Sequence, residues 1–84
     1  MRKFLRRKQT EIPASTAFDW QKAGLYPKFF KIGLSASGLY EDEHSDVIAL
    51  RAAGASDDEV RRLVRHIHEA RQVAYKEVRR GGGS

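Results

Sequence analysis

The chain contains no cysteine, so neither a disulfide framework nor a thiolate zinc site is available to it. That absence fits a reducing compartment. No apolar run approaches the roughly 18 residues a membrane span needs, and Phe4-Leu5 is too short for a signal-peptide core. A cytosolic protein is the expectation. Material for catalysis is also scarce. The histidines are His44, His66 and His68, and the last two, at i and i+2 on a helix, point about 200° apart and cannot share a metal ion. "EDEH", residues 41–44, reads as a dipole-matched helix start rather than a ligand set. Ser15 and Ser56 have no evident base, and no glycine pattern resembles a phosphate-binding P-loop. Neither an enzyme nor a metal or cofactor carrier is expected.

What is present is one small domain. Eighty-four residues lie near the lower limit at which a chain buries an independent core. Hydrophobic residues make up 40% and charged residues 32%, a globular rather than a disordered mix. The net charge is +5, but it is segregated. Residues 1–40 hold eight Lys/Arg against Glu11 and Asp19; residues 41–59 hold seven acids against Arg51; residues 60–84 hold seven Lys/Arg against Glu69 and Glu77. Two basic blocks flanking an acidic one describe either a solvated surface or a surface for a polyanion, most simply nucleic acid.

Along the chain, Phe4 and Leu5 begin a short helix or docking strand, with Arg6, Arg7 and Lys8 exposed. "TEIP" is a turn with Thr10 as a candidate cap, and Pro13 suits the first turn of a helix over about 14–23 that stops at Gly24. Ala17, Trp20 and Ala23 share its inner face with Phe18 near the edge, leaving Ser15, Thr16, Asp19 and Lys22 outward. "KFFKIGLSASGLY" then reads as a β-hairpin whose tip lies around Gly33 to Ser37. A second helix is expected from Glu41 to Ala53, ending at Gly54. Ser56 and Glu59 form a capping-box pattern for a third, from Asp57 to roughly Arg79. On that last helix Val60, Leu63, Val64, Ile67, Ala70, Ala74 and Val78 fall in a sector about 140° wide. Arg61, Arg62, Arg65, Lys76, Arg79 and Arg80 fall in another, about 100° wide. Arg71 lies within the apolar sector, where an intermolecular contact to an acid would account for it. "GGGS", residues 81–84, resembles a flexible linker.

A short helix entered by a tight turn and followed by a basic hairpin suits a winged helix-turn-helix, mainly α with a small β-hairpin wing and an added C-terminal helix. Hydroxyls near the N-terminus of a helix in the major groove can bond phosphates or base edges. On that reading Ser15, Thr16, Asp19 and Lys22 face DNA; on the other, Ser15 and Thr16 merely cap the helix and Lys22 is solvated.

The sequence also resembles the AlpA-like prophage regulators, relatives of phage excisionases with a MerR-like winged-helix fold. The resemblance covers roughly residues 4–71 through "FLRRKQ", "TEIPASTAFDWQKAGLYPKFFKIG", "ASGLYEDEHSDVIALR" and "AGASDDEVRRLVRHIHEAR". Within these stand the family's Ser-Thr pair, Ser15-Thr16, with an aromatic two residues on at Phe18. Its Gly-x-aromatic-Pro-Lys turn is Gly24 to Lys28, and its Lys-hydrophobic-Gly is Lys31 to Gly33. Three features differ. The segment before Thr10 is shorter than the family's first helix. Ala14 and Asp19 stand where the family is often basic, and Leu39-Tyr40 stands where it usually has tryptophan. The resemblance implies sequence-specific binding to double-stranded DNA that controls prophage genes, or bends attachment-site DNA to direct excision. It assigns recognition positions to Ala14, Ser15, Thr16 and Asp19, and the wing to residues 33–37, Ser35 and Ser37 included. Lys22, Lys28, Lys31 and the basic start at Arg6, Arg7 and Lys8 would supply the phosphate contacts. One such module binds weakly unless it forms a homodimer or assembles cooperatively on DNA; the apolar stripe of the last helix either packs against the chain's own core, which a domain of this length needs, or is a dimer surface. A different reading makes the same scaffold a protein-interaction module, because its outward helix carries Asp19 and no arginine. A third, RNA binding through Phe29, Phe30 and Tyr40, requires those rings to be exposed for stacking.

Overall fold

The computed structural model describes residues 2–31 and 33–82; Met1, Ile32, Gly83, Ser84 and the side chains from Arg79 onward lie outside the description. Strand β1 (Phe4–Arg6) leads into a 3-10 turn (Arg7–Thr10), then helix α1 (Ala14–Lys22). Strands β2 (Phe30–Lys31) and β3 (Ser37–Tyr40) follow, and helices α2 (Glu41–Ala52) and α3 (Asp57–Gly82) complete the chain. The architecture is three helices with a three-stranded antiparallel sheet in the order β1-β3-β2. The expected hairpin is present, with Phe30 opposite Gly38 and Lys31 opposite Ser37. The N-terminal segment is the docking strand, not the helix: Phe4, Leu5 and Arg6 pair with Tyr40, Leu39 and Gly38. No helix among the described residues is long and apolar enough to cross a membrane.

Local chemistry explains the boundaries. Thr10 does not cap α1. It is buried, its hydroxyl donates to the Arg7 carbonyl at 2.7 Å and accepts from the Ile12 N–H at 3.3 Å, closing the 3-10 turn. Glu11, at φ 61°, then reverses the chain, and Pro13 opens α1 without a side-chain cap. The reversal leaves four residues, Arg7–Thr10, between β1 and Glu11, room for one turn in place of a full first helix. Helices α1 and α2 end alike. Gly24 (φ 78°) and Gly54 (φ 85°) take the left-handed conformation that glycine adopts without penalty. Leu25 and Ala55 then donate to the carbonyls of Trp20 and Leu50 at 2.8 and 3.2 Å. Ser56 caps α3, accepting the Glu59 N–H at 3.3 Å.

The core is Tyr26, Leu39, Val47, Val60, Val64 and Ile67, with Trp20, Leu25, Phe29, Phe30 and Leu63 packed around it. Period-two alternation sends Leu39 and its partner Leu5 one way. Phe4, Phe30 and Tyr40 go the other way, where Phe30 lies 5.6 Å from Phe4 and 5.2 Å from Tyr40. Only the first half of the expected α3 stripe is inside. Ala70 and Ala74 are exposed and Val78 is 73% exposed. The reason is length: 26 residues span about 39 Å, whereas the two shorter dimensions of the molecule are 27 and 23 Å. Arg71 interrupts the stripe because its acid is intramolecular. It donates to both oxygens of buried Glu43, from Nε at 3.0 Å and Nη2 at 2.5 Å, and from Nη1 to the Lys28 carbonyl at 2.9 Å.

Two imidazoles are hydrogen-bonded into the fold. Tyr26 is buried, and burial followed by the Glu43 charge pushes its hydroxyl pKa up; the protonated hydroxyl shares a hydrogen bond with His44 Nδ1 at 2.7 Å. His68 Nε2 accepts the Lys28 N–H at 3.0 Å. Burial lowers the pKa of both rings below 6.5, and neighbouring Arg71 and Lys28 lower that of His68 further. As pH falls the unfolded chain therefore takes up these protons before the native chain does, and stability drops. The melting temperature should be level above about pH 7 and fall as pH passes below about 6.5. Replacing both histidines with glutamine should flatten that slope, a comparison thermal melts at stepped pH would make.

Candidate nucleic-acid interface

The sequence-predicted site residues gather into two groups. In the first, the 3-10 turn faces the hairpin. Arg6, Arg7, Lys8 and Gln9 line one side of a cleft of about 460 Å³, and Ser35, Ala36 and Ser37 line the other. The sheet makes this juxtaposition, because β3 pairs with β1 on one edge and β2 on the other, with Arg6 opposite Gly38 and Lys31 opposite Ser37. Gln9 is committed to the turn, its Oε1 accepting the Arg6 N–H at 2.8 Å. Arg6, Arg7, Lys8, Lys31 and Ser35 are exposed and Ser37 is half-buried.

The second group lies along α1. Gln21 Nε2 donates to the Pro27 carbonyl at 3.1 Å, folding the Tyr-Pro-Lys turn back against the helix. That contact brings Lys22 and Lys28 to one shallow pocket with Phe18, Gln21 and Phe29. Ala14, Ser15, Asp19 and Lys22 are exposed as expected, while Thr16 is half-buried rather than outward. The capping alternative for Ser15 and Thr16 does not hold: the cap position is Pro13, and no side-chain hydrogen bond caps the helix. On the inner side Ala17 is buried, but Trp20 is half-buried, 6.2 Å from Tyr26 and covered by the Arg51 guanidinium at 4.3 Å, and Ala23 is exposed.

The electrostatics separate structural cations from free ones. The ion pairs among the described residues use Arg2 with Asp42 and Glu43, Arg61 with Asp58, and Arg71 with Glu43. Hydrogen bonds from Arg2 hold the Asp42 carboxyl below the usual carboxylate range. Arg61 also donates to the Ala23 carbonyl at 3.0 Å, tying the end of α1 to α3. Arg6, Arg7, Lys8, Lys22, Lys28 and Lys31 enter none of these pairs. Three of the seven acids of the acidic block, Asp42, Glu43 and Asp58, are thus engaged with structural arginines, and the basic positions of the turn, α1 and the hairpin are among those left over.

Sequence reasoning missed two exposed apolar side chains in these groups. Leu34 stands fully exposed at the hairpin tip, and Phe18 is 64% exposed on α1. The second had a signal: Phe18 is four residues after Ala14 and four before Lys22, hence on their face. The rings proposed for RNA stacking are not free. Phe29 packs edge-on to Tyr26 at 6.0 Å, Phe30 and Tyr40 pack together, and Arg2 covers Tyr40 at 3.8 Å. Both phenylalanines at 29–30 pack on the core.

Comparison of the chain with protein-family models, curated proteins and solved structures found no match. The likeness to AlpA-like regulators rests on the order of residues in the sequence.

Proposed function

We propose that the chain is a small DNA-binding protein of the winged-helix kind, acting as a transcriptional regulator or an excisionase-like architectural factor. Helix α1 would enter the major groove and the hairpin would meet the backbone beside it. The observation carrying this reading is the cleft in which Arg6, Arg7 and Lys8, with no acid partner among the described residues, face the hydroxyls of Ser35 and Ser37. Guanidinium, ammonium and hydroxyl donors around one cleft match the oxygens of a phosphate backbone.

Lys22, Lys28 and Lys31, also outside those ion pairs, raise the expected total to about four phosphate contacts. The logarithm of affinity should therefore fall against the logarithm of salt with a slope of roughly −3 to −4. Fluorescence anisotropy with a labelled random duplex of about 30 base pairs, titrated at several salt concentrations, measures it. No binding at low salt would leave the basic surface merely solvated.

A second reading, a module that binds a protein, draws in part on different surface. Val73, Tyr75 and Val78 are exposed where α3 overruns the body, and Asp19 sits on the outward face of α1. It is favoured if duplex binding fails.

A further inference from the structure

The outward face of α1 carries an ordered set of chemistries. Ala14, Ser15, Phe18, Asp19 and Lys22 are all exposed and recur at the one-turn spacing of a single helix face. Two of them suit a phosphate backbone poorly. Asp19, with no ion pair among the described residues, would be repelled by phosphates. The Phe18 ring, 64% exposed, offers phosphates nothing. Both suit the floor of a major groove, where cytosine N4 and adenine N6 donate hydrogen bonds to a carboxylate and the thymine C5-methyl takes apolar contact from Phe or Ala. Lys22 stands one turn beyond Phe18 and shares its pocket with Lys28, placing cations where the groove wall, and hence the phosphates, would lie.

We infer that Phe18 reads a thymine methyl group, so that this face of α1 selects duplex sites with a thymine beside an amino-bearing base. The inference rests on the DNA-binding reading and makes it specific. Lys22 and Lys28 position the helix, Asp19 and Ser15 supply directional hydrogen bonds, and Phe18 supplies the contact that distinguishes thymine from uracil. The exposure of the ring then has a cause: it is the apolar part of a readout surface, held out by a helix whose opposite side is fixed by buried Ala17 and half-buried Trp20.

The test begins with selection of bound sequences from a random 30-base-pair duplex library. The selected duplex is then resynthesised with deoxyuridine at each thymine in turn, which removes the methyl and leaves base pairing intact. The expected result is a selected site containing thymine, at one or two positions of which uracil weakens binding about three- to fivefold, the worth of one buried methyl. Phe18→Ala should bind the thymine and uracil duplexes equally, with the melting temperature unchanged because the ring is outside the core. Equal affinity of the wild-type chain for both duplexes at every position overturns the inference, as does a Phe18→Ala variant that keeps the wild-type ratio. Salt-sensitive binding without any selected site overturns it while leaving the DNA-binding reading in place. Absence of duplex binding at low salt overturns both.

Discussion

Arg71→Ala is expected to destabilise the domain by about 3–5 kcal/mol, the cost of leaving a buried charge without its partner. The Glu43 side chain is 5% exposed and that of Arg71 18%. Among the described residues, the carboxylate without Arg71 keeps only the Tyr40 N–H at 3.3 Å, its own helix-capping contact, and Arg2 at 3.4 Å. The Lys28 carbonyl loses its donor as well. Three parts of the fold, the start of α2, the Tyr-Pro-Lys turn and the middle of α3, meet at this one guanidinium. A domain of this size holds on the order of 4–12 kcal/mol in total, so the variant should sit at the edge of folding at 25 °C. Urea unfolding followed by circular dichroism measures the change. Replacing both partners, Glu43→Leu with Arg71→Met, should recover much of the loss, because an apolar pair avoids the desolvation that the ion pair must offset. A loss below about 1 kcal/mol for Arg71→Ala, the worth of an exposed pair, would contradict this account of the core.

Gly38→Ala should have an effect of comparable size by a different route. A Cβ at this position would lie 2.0 Å from the Leu5 carbonyl oxygen and 2.9 Å from the Arg6 Cα. Both are main-chain atoms of β1, so no side chain can rotate away; the strand itself must move. Overpacking of this kind costs about 3 kcal/mol, and for a domain of this length that lowers the melting temperature by about 12–24 °C. The displaced strand carries Arg6 and leads into Arg7 and Lys8, so the cleft should open together with the sheet. Gly33→Ala is the control: nothing lies within 4 Å of a Cβ there, and its melting temperature should match the parent. Equal melting temperatures for Gly38→Ala and the parent would mean that β1 is not held against β3 as described.

These two positions also show where the sequence was informative. Elements specified by neighbours were legible. The Gly24 and Gly54 stops, the Ser56 cap and the β2–β3 hairpin each rest on residues within a few positions of one another, and the structure has all of them. Long-range pairings were not. β1 has three residues, too few to display alternation, and its partner lies more than thirty residues away. Arg71 stood out in the apolar sector of α3, but Glu43 is 28 residues distant, and nothing local distinguishes it from the other acids at the start of α2. The unburied end of α3 is a matter of size, since periodicity marks which face is apolar without marking where the body it packs on ends. The candidate site follows the same division. Its basic residues were identifiable one by one, whereas the cleft that unites Arg6, Arg7 and Lys8 with Ser35 and Ser37 exists only because β3 lies between β1 and β2.

The central claim, that this cleft grips a phosphate backbone, is tested most directly by removing its cations. Arg6→Ala, Arg7→Ala and Lys8→Ala combined in one chain, measured beside the parent by anisotropy with the same 30-base-pair duplex across a salt series, should show a log-log slope shallower by about 2. Affinity should fall for every duplex alike while the melting temperature stays at the parent value. Identical slopes and affinities for the two proteins would contradict the claim and move the search for a ligand to another surface.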